Sequence, residues 1–336
     1  MLNNLRYELI NEVDETLRKT NFETQCYDNI CFDIVAKKIN EFEKLQKSFL
    51  FLKILLNIDS IQFQQAKNLK ILSNFLDAFA CVIGIQTRYE KLRENIVYER
   101  FDLPAFTLGT LKNILLDSEF QYVYRDRGGF FVKIDPNRLK KMRREKNLTQ
   151  KELAEKIGVS KKSVYEHEKK ETKATYSLVI EMEKILGDKI STAIKFDKIK
   201  FKSEMSKPKN MFEKNISNHF KKIGFDVTSI DKAPFNLIAN LQSKKLTSSK
   251  SVSLCGKEKY YNFLHKEKFF IFNDVEIDRT RVKRNIHKLK NFSVIIKKPV
   301  LVITKEKLRE EYDIPVIEEN KLKNIEEPKE LFEIFK

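Results

Sequence analysis

The sequence predicts two α/β units, one toward each end of the chain, with an all-α unit between them. Both flanking parts alternate apolar runs of strand length with amphipathic helical segments, which is typical of α/β domains. In the first flank these are the strand "FLFLKILLNI", the helix "QAKNLKILSNFLDAF" and the strand "CVIGIQ". In the second flank they are the strand "KFFIFNDVE", the helix "RVKRNIHKLKNF" and the strand "SVIIKK". The central part has the spacing of short helices. A chain of 336 residues is long enough for two or three domains that each bury a core.

The charge of the chain favours an anionic partner. The formal net charge is +17, and residues 136–210 hold 21 Lys and Arg against 11 Asp and Glu. That local surplus of 10 comes from less than a quarter of the chain. A solvated, Lys-rich surface would give the same numbers, so charge alone leaves both interpretations open.

Several classes of protein are excluded by absent patterns. No apolar run approaches the roughly 18 residues that span a bilayer, and acids precede any apolar core at the N-terminus, so we expect no membrane contact and a cytoplasmic protein. No Gly-rich phosphate loop or catalytic triad is present, so no cofactor is predicted. We also predict neither a metal site nor a disulfide, because no CxxC pair occurs among the four cysteines, Cys26, Cys31, Cys81 and Cys255.

The stretch "LTQKELAEKIGVSKKSVYEHE", residues 148–168, predicts two short helices joined by a tight turn. Thr149 caps the first helix, Gly158 permits the left-handed turn that ends it, and Ser160 caps the second. Ala154 is small enough for the two helices to cross closely, and Val164 points inward. Four residues of the second helix point outward: Lys161, Lys162, Ser163 and Glu166. This is the helix-turn-helix arrangement.

The segment that begins "RLKKMRREKNLTQ" resembles the Cro/C1 repressor type of helix-turn-helix domain. The match includes the "TQ" opening, the "GVS" turn and two further helices, the last ending at "ILG". The resemblance implies that the four outward residues meet base edges, because lysine can donate to guanine and glutamate can accept from cytosine. It implies phosphate contacts for Gln150 and Lys169. It also implies a structural pair between Arg143 and Glu168.

Two features near this segment allow both a functional and a structural interpretation. "YVYRDRGGFFVKID" predicts a β-hairpin whose tip carries Arg125 and Arg127, either as phosphate contacts or as solvated arginines. Tyr165 fits a stacking or phosphate contact and a partly buried position equally well. His167 is expected to pack rather than to perform chemistry.

The two flanks resemble each other in sequence. With a shift of 203 residues, residues 17–38 align without a gap on residues 220–241, and "CFDIVA" falls on "PFNLIA". Further on, "FDLPAFTLGTLKNI" from Phe101 aligns on "YDIPVIEENKLKNI" from Tyr312. Each copy is expected to run helix, two strands, strand, helix, strand, helix, strand, so the flanks are predicted to be duplicated α/β domains with a mixed sheet.

That element order is similar to the restriction-endonuclease-like nuclease fold, which includes archaeal Holliday junction resolvases. Such nucleases need an acid on one strand and an acid-x-lysine on the next, because the carboxylates hold a divalent cation. Asp33 matches the first acid, but no carboxylate stands two residues before Lys53, and Asn236 replaces the acid in the second copy. Both sites are incomplete, so no catalytic or metal-binding residue is predicted and the flanks are expected to bind or dimerise.

These observations divide the chain into five predicted parts. They are a first nuclease-like copy over residues 1–120, a hairpin connector over 121–134, the helix-turn-helix domain over 135–190, a Lys-rich linker over 191–210 and a second nuclease-like copy over 211–336.

The whole chain resembles an archaeal family of HTH-type transcriptional regulators, with a central Cro/C1-type domain between α/β flanks. The resemblance implies a sequence-specific, non-enzymatic regulator of transcription that binds double-stranded DNA. A homodimer is expected, because one short helix covers few base pairs, and the flanks would supply its contact. No effector, operator or direction of regulation follows from the sequence. The alternative is a nuclease or junction-processing enzyme that the central domain delivers to DNA.

Overall fold

The structure is a computed structural model, and it describes residues 2–39, 48–116, 123–126, 129–170, 172–192, 201–202, 206–241, 269–276, 279–308 and 312–335. Within these ranges the chain forms a first α/β unit, a central helical unit and a second α/β unit, in the order predicted from the sequence. No helix in the described ranges is long and apolar enough to cross a membrane.

The first α/β unit packs helices on both faces of a mixed sheet. Helix α1 buries Leu9, Val13 and Leu17 at helical spacing against one face. Strands β3 and β4 pair in parallel, and their long apolar runs are buried because helices cover both faces. The elements are α1 (Leu2–Lys19), β1 (Phe22–Cys26), β2 (Ile34–Lys38), β3 (Phe49–Asn57), α2 (Phe63–Leu76), β4 (Phe79–Gln86), β5 (Ile96–Arg100), β6 (Leu103–Phe106) and α3 (Leu108–Leu116).

The central unit is helical but continues the sheet of the first unit. The predicted hairpin is present, because Asp126 pairs with Gly129 across its tip, and β5 pairs in parallel with its first strand. The elements are β7 (Val123–Asp126), β8 (Gly129–Ile134), α4 (Pro136–Glu145), α5 (Gln150–Lys156), α6 (Lys161–Lys169), β9 (Thr172–Thr175) and α7 (Tyr176–Leu186). The resulting nine-stranded sheet has the order β1-β2-β3-β4-β6-β5-β7-β8-β9.

The second α/β unit has a five-stranded sheet with the order β10-β11-β12-β13-β14. Helix α8 buries Phe212, Ile216 and Phe220 against it. The elements are α8 (Met211–Lys222), β10 (Asp226–Ser229), β11 (Leu237–Leu241), β12 (Phe269–Glu276), α9 (Arg279–Ile296), β13 (Val300–Thr304), β14 (Val316–Glu318), α10 (Glu319–Lys323) and α11 (Pro328–Glu333).

Strand registers agree with the duplication predicted from the sequence. Thr24 pairs with Ala36 in the first unit, and the residues 203 positions later, Val227 and Ala239, pair with each other in the second. The second alignment, which places Phe106 on Ile317, agrees as well. Phe106 pairs with Ile83 in a strand parallel to β4, and Ile317 pairs with Ile303 in a strand parallel to β13. Both sheets are mixed, as the predicted fold class requires.

Two element predictions were wrong. "SVIIKK" from Ser293 was predicted as a strand, but α9 continues to Ile296 because Ile295 and Ile296 are buried on its packed face. The strand follows at Val300. No helix lies between the fourth strand and the next strand of the first unit, where residues 87–95 form turns. Backbone hydrogen bonds explain this, because the antiparallel bridge between Gln86 and Lys91 and the bond from the Leu92 N–H to the Ile85 carbonyl fold residues 85–92 into a tight hairpin turn.

The predicted linker is partly packed. Phe201 is buried, and its backbone exchanges two hydrogen bonds with the Asn74 side chain on α2, at 2.7 and 3.3 Å. Residues 193–200 and 203–205 lie outside the described residues. This contact ties the chain between α7 and α8 to the first unit.

Candidate nucleic-acid interface

Helix α6 is the element that the sequence predicts to contact DNA bases. Capping hydrogen bonds determine where α5 and α6 begin. Thr149 and Glu152 form a reciprocal capping box that starts α5. Gly158 has φ of 68°, the left-handed conformation expected of it, and Ser160 accepts a hydrogen bond from the Ser163 N–H to start α6. Val164 and Ala154 are buried between the helices.

The inner side of α6 is fixed to α4 and α5 by a bidentate ion pair. Arg143 Nε and Nη2 donate to the two carboxylate oxygens of Glu168 at 2.5 and 3.0 Å. Gln150 donates to the same carboxylate at 2.8 Å, and Arg143 also donates to the Leu148 carbonyl at 2.6 Å. The two charged side chains are 10% and 3% exposed. Parallel N–H···O bonds of this kind restrict geometry as well as adding energy.

The pKa of Glu168 reflects competing effects. Burial raises it, but hydrogen bonds from Arg143 and Gln150 outweigh the burial and hold the pKa below its ordinary value. The Arg143 pKa is raised, chiefly by its hydrogen bond to Glu168. The pair therefore stays charged at neutral pH and holds α6 in one orientation.

The outer side of α6 is polar and largely open to solvent. Lys161 and Lys162 are exposed in the first turn, and Ser163 is half-buried. Glu166 forms an ion pair with Lys170 at 3.4 Å, and Lys169 lies 5.5 Å from the ring centre of Tyr165. All four predicted base contacts therefore lie in the first two turns of α6, and none of them is buried.

Other predicted contacts already have partners within the chain. Gln150 uses one amide N–H for Glu168. Arg125 forms an ion pair with Glu90 at 3.5 Å and stacks on Phe130, with its guanidinium carbon 4.8 Å from the ring centre. Arg127 lies outside the described residues. Of the two predicted cationic phosphate contacts with a described side chain, Arg125 has an ion pair and Lys169 has none among the described residues.

Tyr165 lies on the exposed side of α6, and His167 lies on its buried side. Tyr165 is 45% exposed, beside the predicted base contacts, whereas His167 is buried and its Nδ1 bonds the Thr172 hydroxyl on β9. Burial lowers the His167 pKa, so the imidazole is neutral at pH 7. His167 therefore packs, and it connects α6 to the nine-stranded sheet.

A second polar cluster lies where the nuclease-like fold would hold a metal. Asp33 is fully buried, and its Oδ1 accepts from Arg6 at 2.7 Å and from Lys53 at 3.0 Å. Its Oδ2 accepts from the Ile54 N–H at 2.7 Å. Arg6, on α1, also donates to the Ile54 carbonyl. Sequence reasoning missed Arg6, because its role depends on how α1 packs across the sheet.

This cluster does not fit a divalent cation. Both Asp33 oxygens are occupied by donors, two of them cationic, and the position two residues before Lys53 is Phe51, which is buried in the apolar core. In the second unit Asn236 takes the place of Asp33. No group of three His, Cys, Asp or Glu side chains suited to a metal occurs within the described ranges. The described thiols, Cys26, Cys31 and Cys81, are free.

Comparison with known proteins finds two family models in the chain. A PD-(D/E)XK superfamily domain matches residues 6–120, and a helix-turn-helix model matches residues 139–189. No solved structure matches. Among curated proteins, a "Putative HTH-type transcriptional regulatory protein" of Methanobrevibacter smithii is 32% identical over 100% of this chain and 98% of its own length. The chain belongs to this archaeal family of HTH-type transcriptional regulatory proteins.

Other relatives align over most or nearly all of the chain. A putative HTH-type transcriptional regulatory protein of Methanocaldococcus jannaschii is 31% identical over 99% of this chain and 97% of its own length. One from Pyrococcus furiosus is 32% identical over 80% of this chain and 87% of its own length. The relatives from Methanobrevibacter smithii and Methanocaldococcus jannaschii therefore align with both flanks as well as with the central domain.

Proposed function

We propose that the protein is a sequence-specific regulator of transcription that places α6 in the major groove of double-stranded DNA. The observation that carries this proposal is the asymmetry of α6, whose inner side is fixed by the Arg143–Glu168 pair while Lys161 and Lys162 stand exposed in its first turn. A helix held in one orientation with donors at its start suits the reading of base edges. The charge surplus of the same region suits the backbone of DNA.

The proposal gives each outward residue a role. Lys161 and Lys162 donate to guanine, Ser163 contacts either base of a pair, and Glu166 accepts from cytosine after exchanging its partner Lys170. Lys169 and the remaining N–H of Gln150 contact phosphates and fix the register. Arg125 reaches phosphate only if it leaves Glu90, so we rank it below these.

The test is an in vitro selection of genomic fragments at near-physiological salt, followed by binding measurements on the enriched site and on random DNA. We expect Lys161→Ala and Lys162→Ala each to weaken binding to the enriched site by about 1–3 kcal/mol, with much less effect on random DNA. Lys321→Ala is the matched control, because it removes the same charge from an exposed helical position in the second α/β unit.

Two results would contradict the proposed roles. Equal losses on the enriched site and on random DNA would make both lysines phosphate contacts. Selection without any enriched sequence would remove sequence specificity altogether and leave α6 as a general DNA anchor.

The nuclease alternative is favoured by one observation, the match of residues 6–120 to a PD-(D/E)XK superfamily domain. Cleavage of duplex or four-way-junction DNA that requires Mg²⁺ and vanishes in Asp33→Ala would support it. We expect no such cleavage, because the Asp33 oxygens are already occupied. Asp33→Asn is the companion variant, since it keeps the side-chain shape and shows whether a loss in Asp33→Ala reflects misfolding.

The homodimer and the cytoplasmic location stay predictions. The flanks were expected to supply the contact of the homodimer. In the structure the two flanks pack against each other, so a dimer would have to form through surfaces that this packing leaves exposed.

A further inference from the structure

The two α/β units meet through equivalent surfaces. The Asn68 amide on α2 donates to the Asp231 carbonyl, in the turn between β10 and β11. In the opposite direction, Lys288 Nζ on α9 donates to the Asp28 carbonyl, in the turn between β1 and β2, at 3.1 Å. Asp28 and Asp231 are 203 positions apart, which is the shift of the repeat. In each unit, therefore, a side chain on a helix donates a hydrogen bond to a turn of the other unit.

The helical partners in these two bonds are also equivalent. Helix α2 ends before Asp77, which has φ of 48°, and α9 ends before Lys297, which has φ of 51°. Asn68 and Lys288 each lie nine positions before these left-handed residues. The reciprocal pair of contacts thus obeys a pseudo-two-fold relation between the units.

An aromatic cluster fills the centre of the contact. The Phe292 ring centre on α9 lies 6.2 Å from that of Phe32 and 6.4 Å from that of Phe51 in the first unit. It lies 4.9 Å from that of Phe235 in its own unit. Phe32 and Phe235 are equivalent under the shift of 203, and all four rings are buried.

This arrangement is the isologous interface of a two-fold dimer, built inside one polypeptide. In a homodimer the same patch occurs on both subunits and pairs with itself. Here the two copies of the patch pair within the chain and bury their aromatic centre. A second chain therefore cannot use this surface while the fold is intact.

The internal pseudo-dimer carries one recognition helix. Strands β7, β8 and β9 join the helical unit to the nine-stranded sheet of the first unit, and β9 directly follows α6. The second unit contributes no equivalent helix in the ranges that the structure describes, because α8 to α11 all pack within its own fold or at the contact between the units.

We infer that the protein binds DNA as a single chain and recognises an asymmetric site, a single half-site, with no inverted repeat. This inference rests on the proposed function and specifies the class of DNA it reads. One recognition helix reads few base pairs, so the motif should lie within about one helical turn, 10 base pairs. Much of the affinity must then come from phosphate contacts, and binding should weaken steeply with salt.

The first experiment measures the mass of the full chain by light scattering at micromolar concentration, without DNA. We expect the mass of one chain, 39.8 kDa. A stable mass of two chains would overturn the inference. This includes a domain-swapped dimer, in which the first flank of one chain packs on the second flank of the other. This result does not depend on DNA binding, so it separates failure of the inference from failure of the proposed function.

The second experiment uses the motif from the genomic selection in two duplex probes. One probe holds a single copy, and the other holds two inverted copies centred one helical turn apart. We expect one chain to bind the first probe, and two chains to bind the second probe independently of each other. The apparent affinity for the second probe should then be about two-fold higher, because it holds twice as many sites. A gain of about 100-fold or more, with two chains bound together, is the avidity of a dimer and would overturn the inference.

Discussion

At the scale of single residues, the Arg143–Glu168 pair decides whether α6 holds its orientation. We predict that Arg143→Ala lowers the local stability of α6 by about 3–5 kcal/mol, because it leaves the Glu168 carboxylate buried without its cation. Hydrogen exchange of the α6 amides measures this directly. Hydrogen exchange reports the stability of each region separately, which suits a chain of several cooperative units that no single unfolding free energy describes.

Arg138→Ala is a control on the same helix. Arg138 pairs with Asp188 at 3.0 Å, but the two side chains are 46% and 56% exposed, so its loss should cost about 0–1 kcal/mol. Similar exchange rates in the two variants would show that Arg143 does not hold α6 in place.

The Glu168 carboxylate also predicts a pH dependence of α6. Its pKa in the folded protein lies below the ordinary value of 4.5 despite burial, because Arg143 and Gln150 donate to it. A carboxyl group of this kind stabilises the folded state above pH 4.5, and the contribution is lost as pH falls through the folded-state pKa. Exchange protection of α6 should therefore fall with acidification below about 4.5. In Glu168→Gln this part of the slope should disappear; an unchanged slope would assign it to other groups.

At the scale of elements, the bounds of α5 and α6 could be predicted almost residue by residue. Thr149, Gly158 and Ser160 each act within one turn of the chain, so their chemistry is readable from neighbours in sequence. The end of α9 could not be predicted. Lys297 adopts a left-handed conformation that its residue type does not favour, and the buried positions before it depend on the other unit.

The polar cluster around Asp33 also has a part that could be predicted and a part that could not. Asp33 immediately precedes β2, and Lys53 lies on the adjacent strand β3. The absence of a carboxylate at position 51, which is Phe51, made it possible to predict from the sequence that the nuclease site is incomplete. The contact between Arg6 and Asp33 could not be predicted from the sequence, because Arg6 lies 27 residues before Asp33 and reaches it only when α1 packs across the sheet. Arg6 on the distant helix α1 and Lys53 together compensate the buried charge of Asp33.

At the scale of the whole molecule, the contact between the two α/β units should couple their stabilities. Phe292 belongs to the second unit, but its ring packs on Phe32 and Phe51 of the first. We predict that Phe292→Ala lowers exchange protection in β2 and β3 of the first unit as well as in α9. Truncation of a buried phenylalanine costs about 3–5 kcal/mol, and here the cavity opens toward both cores.

Phe220→Ala separates this coupling from general destabilisation. Phe220 is also fully buried, but it packs with Phe225 in the core of the second unit, away from the contact between the units. It should reduce protection in the second unit to a similar degree and leave β2 and β3 of the first unit nearly unchanged. If both variants left those strands protected, the units would be stable independently, and the internal pairing would be a weak contact that a second chain can replace. Loss of protection in β2 and β3 confined to Phe292→Ala would instead mean that the paired flanks form one cooperative body, in which α6 has a fixed position.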